Sequence, residues 1–306
     1  MIVQDNIPLR HHKAAISTSI VTESLAEVEL LISMLLASSK DHALAPFSDA
    51  IAAVKYHIRS GGRRVRAQLA HGAGIALKID PDHAVVIATT VELLHNASLI
   101  HDDLQDRSRS RRGLPSVWLE FGDGIAVCAG DLLISAAYRN LVSFPIIDVV
   151  PALFRLTHDA VTQSICGQCA DLAAQRQYPQ DLGAYERIVA AKSGALLSLP
   201  LELSLLASGY SDAMPLARRA ADSFATGYQI ADDLADVAAD KGNDHSPKAL
   251  NLVLLLQASG LGAEAKDKAR SIAMRHLKAS AIMANDLPQE SGALLSKLAL
   301  SLCEEL

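Results

Sequence analysis

The sequence "DPDHAVVIATTVELLHNASLIHDDLQD", residues 80–106, predicts one long helix that ends in acids. Asp80 is suited to cap this helix and Pro81 to occupy its first position. Apolar side chains recur at helical spacing through the middle of the stretch, as they do in a helix that packs in a protein core. The helix would therefore carry the carboxylates of "DDLQD" at the end of an apolar segment.

Helical periodicity recurs along nearly all of the chain, and clean strand alternation is almost absent. Residues 144–150, "FPIIDVV", have some β character, but they lie between helical patterns and are interpreted as a connection. There is no Gly/Ser linker and no fixed-period repeat. The sequence therefore predicts one all-α domain over residues 1–306, with residues 1–20 as a flexible N-terminal arm. Further helices are predicted near residues 24–37, 49–60, 124–142, 151–176, 181–208, 213–240, 246–259, 262–284 and 289–304.

The composition argues against several classes of function. Half of the 306 residues are hydrophobic and the formal net charge is −6, which argues against a nucleic-acid binder with a basic surface. Four cysteines do not make a disulfide framework in a chain of this length, so we expect a reduced, cytoplasmic setting. The most apolar runs, 195–209 and 252–256, are interrupted or shorter than the roughly 20 residues of a membrane span. We therefore expect no integral membrane segment.

Two copies of one acidic motif end two apolar helices. In the first copy, Asp102 and Asp106 are four residues apart and share a helix face, with Asp103 about 100° away. A single motif of this kind is often only a solvated helix end. The second copy repeats the spacing with Asp232, Asp233 and Asp236. Two such helices facing each other would repel unless divalent cations and an anionic substrate lay between them, and oxygen ligands in this spacing suit Mg²⁺.

Beneath both motifs the helices change from charged to small and apolar side chains. Counting back in helical steps from the first motif gives one face made of Ser98, Ala97, His95, Leu94 and Val91. The second helix offers Tyr228, Ala225 and Phe224. A site with charge at its mouth and an apolar shaft beneath matches a substrate with a diphosphate head and a hydrocarbon tail.

Three basic motifs accompany the acids, and each also has an ordinary structural interpretation. The first basic motif consists of Arg63, Arg64 and Arg66, and a glycine pair precedes it. At a helix start these groups suit phosphate oxygens, and the alternative is an exposed basic turn. Arg111 and Arg112 follow the first acidic motif, where a surface loop is the alternative. Lys192 is a single cation in an apolar helix, where a lysine either snorkels to solvent or has a function.

In this combination and order, the motifs resemble those of the polyprenyl synthetases, the trans-isoprenyl diphosphate synthases. The resemblance runs from about residue 50 to residue 260, through "GGRRVR", "ELLHNASLIHDDLQD", "RRGLPS", "AGD", "GQCADL", "KSGAL" and "GYQIADDLAD". It implies an all-α helical bundle around a deep central cavity and a homodimer. It also implies Mg-dependent condensation of isopentenyl diphosphate with an allylic diphosphate, with three Mg²⁺ ions in each active site.

The resemblance also implies roles for individual residues. The expected metal ligands are Asp102, Asp106, Asp232 and Asp236. Asp103 and Asp233 would lie beside these ligands without binding the metal themselves. The allylic diphosphate would be held by Arg111 and Lys192, beside Gln229. The isopentenyl diphosphate would be bound by Arg63, Arg66, His95 and Arg112.

This sequence departs from the family pattern at two positions. Arg63 stands where the family has a lysine, and the two cations differ in geometry. Asn243 stands where a further lysine is expected after the second motif. Lys241 or Lys248 would have to substitute for it.

The resemblance directs attention to Ala97 and Ser98, because bulky aromatic side chains just before the first motif close the shaft early. Both residues are small here, so we expect a product longer than farnesyl diphosphate, namely geranylgeranyl diphosphate. A farnesyl or longer-chain synthase is the alternative.

Other functions were also considered. The second aspartate motif and "GGRR" disfavour a terpene cyclase or a head-to-head prenyl coupling enzyme. The non-enzymatic alternative is a regulatory subunit of a heteromeric synthase.

The pair Cys166 and Cys169 supplies only two of the four ligands of a structural zinc site. No predicted strand precedes the pair, as a thioredoxin-like redox motif would require. We therefore expect both cysteines to lie in or near the core.

Overall fold

A computed structural model describes residues 18–37, 49–174, 181–240 and 250–306 of the chain. Within these ranges the chain is helical apart from short connections and one small ribbon, so the predicted all-α fold is confirmed. The helices of the first half are α1 (Thr18–Ala37), α2 (Asp49–Arg59), α3 (Val65–Ala76), α4 (Pro81–Gln105), α5 (Val117–Phe121), α6 (Asp123–Val142) and α7 (Val150–Ala174). Those of the second half are α8 (Leu182–Val189), α9 (Ala195–Ala207), α10 (Met214–Asp240), α11 (Leu252–Leu256), α12 (Ala265–Asn285) and α13 (Ala293–Glu305).

Helix α4 is the central helix of the bundle. It begins as the sequence predicts, because the Asp80 side chain accepts a hydrogen bond from the Asp82 amide at 3.0 Å. It packs against α1, α3, α6 and α9. Between residues 86 and 103, every side chain except those of Ser98 and His101 is buried. The surrounding helices therefore hold the acids at the end of α4 in place.

Two hydrophobic cores meet at α4 and α9. One row of leucines on α9 packs in the core around α4 and α6, namely Leu196, Leu199 and Leu203. The adjacent row packs in the core around α10 and α12, namely Leu197, Leu201 and Leu205. A helix that is apolar on every face is typical of the centre of a bundle. Helices α4 and α9 therefore join the two halves of the fold.

The helix predicted over residues 181–208 contains a wider turn that the sequence did not reveal. Residues Ala190–Gly194 form one turn of π-helix between α8 and α9. Such turns are frequent at functional sites, where they alter the direction of a side chain relative to the regular helix. Lys192 lies in the middle of this turn.

A small antiparallel ribbon, also not predicted, follows α4. Its strands are β1 (Ser110–Arg111) and β2 (Leu114–Pro115). The two residues between the strands, Arg112 and Gly113, have φ values of 52° and 80°, as in a type I′ turn. An arginine rarely adopts this conformation without contacts that hold it there. The guanidinium group of Arg112 supplies such a contact, because it donates a hydrogen bond to the carbonyl of Gly61, just before α3.

Three helical segments are long and apolar enough to cross a membrane, judged by length and composition alone. They are Pro81–Gln105, Asp123–Val142 and Leu182–Ala207. The search for uninterrupted apolar runs in the sequence did not reveal these segments. Within the bundle, 83% of the apolar window of the first and third segments is buried, against 44% for the second.

Some predictions fall on residues outside the described ranges. Helix α1 begins at Thr18, so only residues 18–20 of the predicted N-terminal arm are described, and they are helical. Residues 1–17 lie outside the described ranges. The same holds for Lys241, Asn243 and Lys248.

Candidate active site

Three carboxylates and one lysine gather at the end of α4. The ammonium nitrogen of Lys192 lies 3.5 Å from Oδ1 of Asp102 and donates a hydrogen bond to Asp171 of α7. Burial disfavours the charged form of Lys192, but Asp102, Asp171 and Asp106 outweigh this effect and raise its pKa. Burial and then the charge of Asp102 raise the pKa of Asp106. The lysine is therefore charged and neutralises part of the acidic cluster.

Close helix packing fixes the backbone around Lys192. Gly167 of α7 approaches so closely that a Cβ atom there would lie 2.2 Å from the Lys192 amide nitrogen. Ser164, one turn earlier, donates a hydrogen bond to the Lys192 carbonyl at 3.0 Å. On the opposite side, a Cβ atom at Gly194 would lie 2.2 Å from Oδ1 of Asp222 in α10. Helices α7 and α10 therefore pack closely against the π-helical turn on opposite sides.

Arg111 is paired with the middle acid of the first motif. Its Nη2 and Nε atoms lie 2.6 Å from Oδ1 and 3.1 Å from Oδ2 of Asp103. Burial raises the pKa of Asp103, although Arg111 opposes this shift. Because Arg111 already has this carboxylate partner, it must exchange or share that partner to bind a diphosphate.

Arg66 and His95 form a second group, on the α3 side of α4. Nη1 of Arg66 lies 3.1 Å from Nε2 of His95, and both side chains are buried. Burial, and then Arg66, hold the pKa of His95 well below its usual value, so the imidazole is neutral and accepts a hydrogen bond from Arg66. Arg63 is half-buried at the start of α3. Arg64 instead faces the core, where its Nη1 lies 3.0 Å from Oε1 of Glu92.

Asp233, the middle acid of the second motif, is enclosed by hydrogen-bond donors. Its Oδ2 accepts from the Tyr185 hydroxyl at 2.6 Å and from the Leu252 amide at 2.7 Å. Its Oδ1 accepts from Gln229 at 3.0 Å. Asn251, which caps α11, donates to the Asp233 carbonyl at 2.9 Å. Asp233 therefore joins α8, α10 and α11, while the other two acids of its motif are only half-buried.

The four predicted metal ligands do not form a ready-made metal cluster. In the part of the chain that the structure describes, no three His, Cys, Asp or Glu side chains are grouped so that they could hold an ion. Oδ1 of Asp102, however, is buried and makes no hydrogen bond among the described residues. Mg²⁺ is usually bound by one or two carboxylates together with substrate phosphates and waters rather than by a complete protein cage. The donor set at the end of α4 therefore fits Mg²⁺.

An apolar cavity of about 320 Å³ runs inward from Asp102, between α4, α6, α7 and α9. On α4, the cavity is lined near its mouth by Gln105, Asp102 and His101, and further from the mouth by Ser98, Ala97 and Leu94. The apolar side chains of the other walls are Ile134, Val161, Ile165, Leu172 and Leu196. At the mouth, Nε2 of Gln168 donates a hydrogen bond to Oε1 of Gln105 at 3.0 Å. The structure therefore joins a charged mouth to an apolar shaft.

The second helix does not supply the wall that the sequence suggested. Tyr228 and Phe224 of α10 stack on each other in the core, with ring centroids 6.2 Å apart. No described residue of α10 lines the cavity. His95 is also absent from the described wall, because the cavity face of α4 is centred near Leu94 and His101, and His95 lies about 100° further round the helix.

The prediction that both cysteines of the CxxC pair lie in or near the core is wrong. Cys166 and Cys169 are exposed, and Cys169 also lines the cavity. Helix α7 packs its glycine and aspartate side inward, at Gly167 and Asp171, so the cysteines fall on its outer side.

Four residues that matter for this geometry were not singled out from the sequence. They are Gly167, Asp171, Tyr185 and Asn251. Gly167 and Asp171 lie within "GQCADL", which was a motif of the family resemblance, but no role was assigned to either residue. Tyr185 and Asn251 carry no local signal, because their partner Asp233 is 48 and 18 residues away in the chain.

The fold and the site define a class of protein: an all-α bundle whose central cavity has an acidic and basic mouth. The family model described as Polyprenyl synthetase matches residues 49–250 of the chain. The chain belongs to this family.

Known relatives make different products. The chain is 36% identical over 148 residues to the (2E,6E)-farnesyl diphosphate synthase of Mycobacterium tuberculosis, a match that covers 48% of this chain and 41% of the relative. It is 31% identical over 189 residues to the geranylgeranyl diphosphate synthase of the same organism, covering 61% and 54%. In each case the chain spans less than two thirds of the relative's length. The crystal structure of a decaprenyl diphosphate synthase from Rhodobacter capsulatus has the same fold, with a TM-score of 0.77, 22% identity and coverage of 94% and 97%.

Proposed function

We propose that this chain is a prenyltransferase that joins isopentenyl diphosphate head-to-tail to an allylic diphosphate and releases diphosphate. The observation that carries the proposal is the junction at Asp102, where a cluster of acids and cations opens directly into an apolar shaft. The charged mouth suits two diphosphates, and the shaft suits the growing hydrocarbon chain. A protein that bound only diphosphate would have no use for the shaft.

The residues of the mouth divide between the two substrates. Lys192, Arg111 and Gln229 hold the allylic diphosphate, and the positive charges of Lys192 and Arg111 stabilise it as it leaves. Arg63, Arg66 and Arg112 bind the isopentenyl diphosphate.

Neutral His95 accepts a hydrogen bond from Arg66 and thereby orients it.

Asp102, Asp106, Asp232 and Asp236 would hold Mg²⁺, which when bound neutralises the diphosphate and favours its departure. We propose three ions per site.

In this reaction the protein mainly positions the two substrates and keeps water out of the site. The allylic C–O bond breaks, the double bond of isopentenyl diphosphate attacks the allylic carbon, and a proton passes to the released diphosphate. The buried walls around Asp102 and Lys192 exclude water, which would otherwise capture the allylic cation. The side chains hold the two substrates in line, and such positioning supplies a large part of the rate of a bimolecular reaction.

We propose geranylgeranyl diphosphate as the product. The support is the pair of small side chains, Ala97 and Ser98, on the cavity wall nearest the motif. Leu94 lies deeper and forms part of the floor with residues of the facing helices. The named relatives include both farnesyl and geranylgeranyl diphosphate synthases. The proposed product length therefore rests on the side chains that line the shaft of this chain.

We further propose a cytoplasmic homodimer. Exposed apolar side chains lie on α6 and α7, with Val127, Val142 and Ile165 exposed by 44%, 67% and 55%. Ile165 also lines the cavity, so the shaft reaches this exposed face. A second copy packed on α6 and α7 would cover these side chains and close the shaft from the side.

Product analysis tests the proposed function. Purified protein is incubated with Mg²⁺, isopentenyl diphosphate and dimethylallyl, geranyl or farnesyl diphosphate in turn, and the products are separated by chain length. We expect geranylgeranyl diphosphate from each primer, one released diphosphate per condensation, and no turnover after chelation of the metal. Absence of product with every primer would instead favour a regulatory subunit, and products no longer than farnesyl diphosphate would contradict the assigned chain length.

A further inference from the structure

Two cations of the mouth lie against the acids of the first motif, Arg111 against Asp103 and Lys192 against Asp102. We propose that Lys192 is a place-holder for the divalent cation at Asp102: it neutralises Asp102 in the resting protein and moves fully onto Asp171 when the metal binds. Asp171 is then a positioning residue, because it retains the lysine beside the substrate site. The inference rests on the proposed function, but it concerns metal binding alone and can fail independently.

The geometry gives Lys192 two carboxylate partners of unequal closeness. Lys192 donates a hydrogen bond to Asp171, whereas its Nζ lies 3.5 Å from Oδ1 of Asp102 in an ion pair without a hydrogen bond. Oδ1 of Asp102 makes no hydrogen bond among the described residues. The lysine therefore satisfies Asp102 by charge alone and is anchored by Asp171. Releasing Asp102 costs no hydrogen bond, so this carboxylate is the one a metal can take.

The carboxylates of Asp102 and Asp171 are buried and therefore need a cation beside them. The side chains of Asp102, Asp171 and Lys192 are 2%, 9% and 6% exposed. Two buried carboxylates without a cation would destabilise the fold, because uncompensated buried charges are costly. Lys192 supplies that cation before a metal arrives. Once a divalent cation binds Asp102, it repels Lys192, and Asp171 prevents the lysine from leaving the site.

The backbone of Lys192 does not have to move in this exchange. The π-helical turn is held by the close approach of Gly167 and by the hydrogen bond from Ser164. Only the ammonium group at the end of the side chain moves, away from Asp102 and towards Asp171. A fixed backbone with a movable ammonium group is suited to pass from a carboxylate to a diphosphate oxygen.

Metal binding to the substrate-free protein tests the place-holder role. Mn²⁺ replaces Mg²⁺ as a probe, because it prefers the same oxygen ligands and its free concentration can be read by electron paramagnetic resonance. We expect Lys192→Met to bind Mn²⁺ at least about tenfold more tightly than the wild type, the scale of close charge pairs at desolvated sites. Lys192→Arg keeps the charge and should bind within about threefold of the wild type.

Two controls separate the role from general electrostatics. Arg111→Met removes a neighbouring charge that is paired with Asp103, and it should change Mn²⁺ affinity by less than Lys192→Met does. Lys278→Met, on the exposed face of α12, should change nothing. Equal gains in Lys192→Met and Arg111→Met would overturn the proposal, as would unchanged or absent Mn²⁺ binding in Lys192→Met. If Lys192→Met does not fold, the double variant with Asp171→Asn relieves the unpaired acid and should show the same gain.

Discussion

Replacing Ala97 by Phe is expected to shorten the product from geranylgeranyl diphosphate to farnesyl or geranyl diphosphate. Ala97 is 1% exposed, yet it lines the cavity one turn below the first motif. A phenyl ring there fills the upper shaft, so an additional isoprene unit has no space to enter. Because the diphosphate groups bind above this level, initial condensation should continue. The measurement is product chain length by chromatography, with dimethylallyl diphosphate as primer.

Two companion variants frame this prediction. Ser98→Phe adds the same ring on the same wall and should also shorten the product. Ser271→Phe adds it to an exposed position on α12, outside the cavity, and should leave the product unchanged. Unaltered chain length in both Ala97→Phe and Ser98→Phe would place the floor elsewhere and contradict the assigned shaft.

Replacing Gly167 by Ala is expected to lower kcat/KM by about 100-fold, the scale of loss when a catalytic group is displaced by about 1 Å. The added Cβ atom would lie 2.2 Å from the Lys192 amide nitrogen and 2.6 Å from its Cα. Both are backbone atoms of a tightly held turn, so the turn has to shift and take the ammonium group with it. Steady-state kinetics with varied allylic substrate measures the loss.

Gly72→Ala is the matched control for this variant. Gly72 also lies within a helix, α3, and nothing stands within 4 Å of a Cβ atom added there. Alanine at this position should leave kcat/KM unchanged and raise the free energy of unfolding by up to about 1 kcal/mol, since glycine weakens helix interiors. Wild-type kinetics in Gly167→Ala would mean that the close approach of α7 does not position Lys192.

The sequence predicted the elements whose signals are local. Helix α4 could be read from its cap, its apolar spacing and its terminal acids, and the structure has all three. The small residues Ala97 and Ser98 could likewise be placed on one side of the helix, because helical spacing fixes which side chains share a face. Both line the cavity.

Features that depend on a distant partner could not be predicted from the sequence. The π-helical turn at Lys192 follows from packing against Gly167 and Asp222, and neither lies next to it in the chain. The place of Asp233 at a junction of three helices depends on Tyr185 and on the start of α11. Helical spacing also failed for Tyr228, because it gives the face of a helix but not which cavity or core that face meets.

The acids and cations around the first acidic motif partly neutralise each other. Arg111 is paired with Asp103, and Lys192 lies against Asp102. The pairing is nevertheless incomplete, because Asp102 keeps an oxygen without a hydrogen bond among the described residues. We therefore propose that these pairs exchange partners when substrate and metal bind.

We propose that the two aspartate motifs act on one diphosphate through shared metal ions. A double-mutant cycle of Asp102→Asn and Asp232→Asn, with turnover measured from radiolabelled isopentenyl diphosphate, tests this proposal. Residues that act as a unit are strongly non-additive, so we expect each single variant to lose about 1,000-fold in kcat and the double variant to lose little more. Losses that multiply in the double variant, or wild-type turnover in either single variant, would contradict the account.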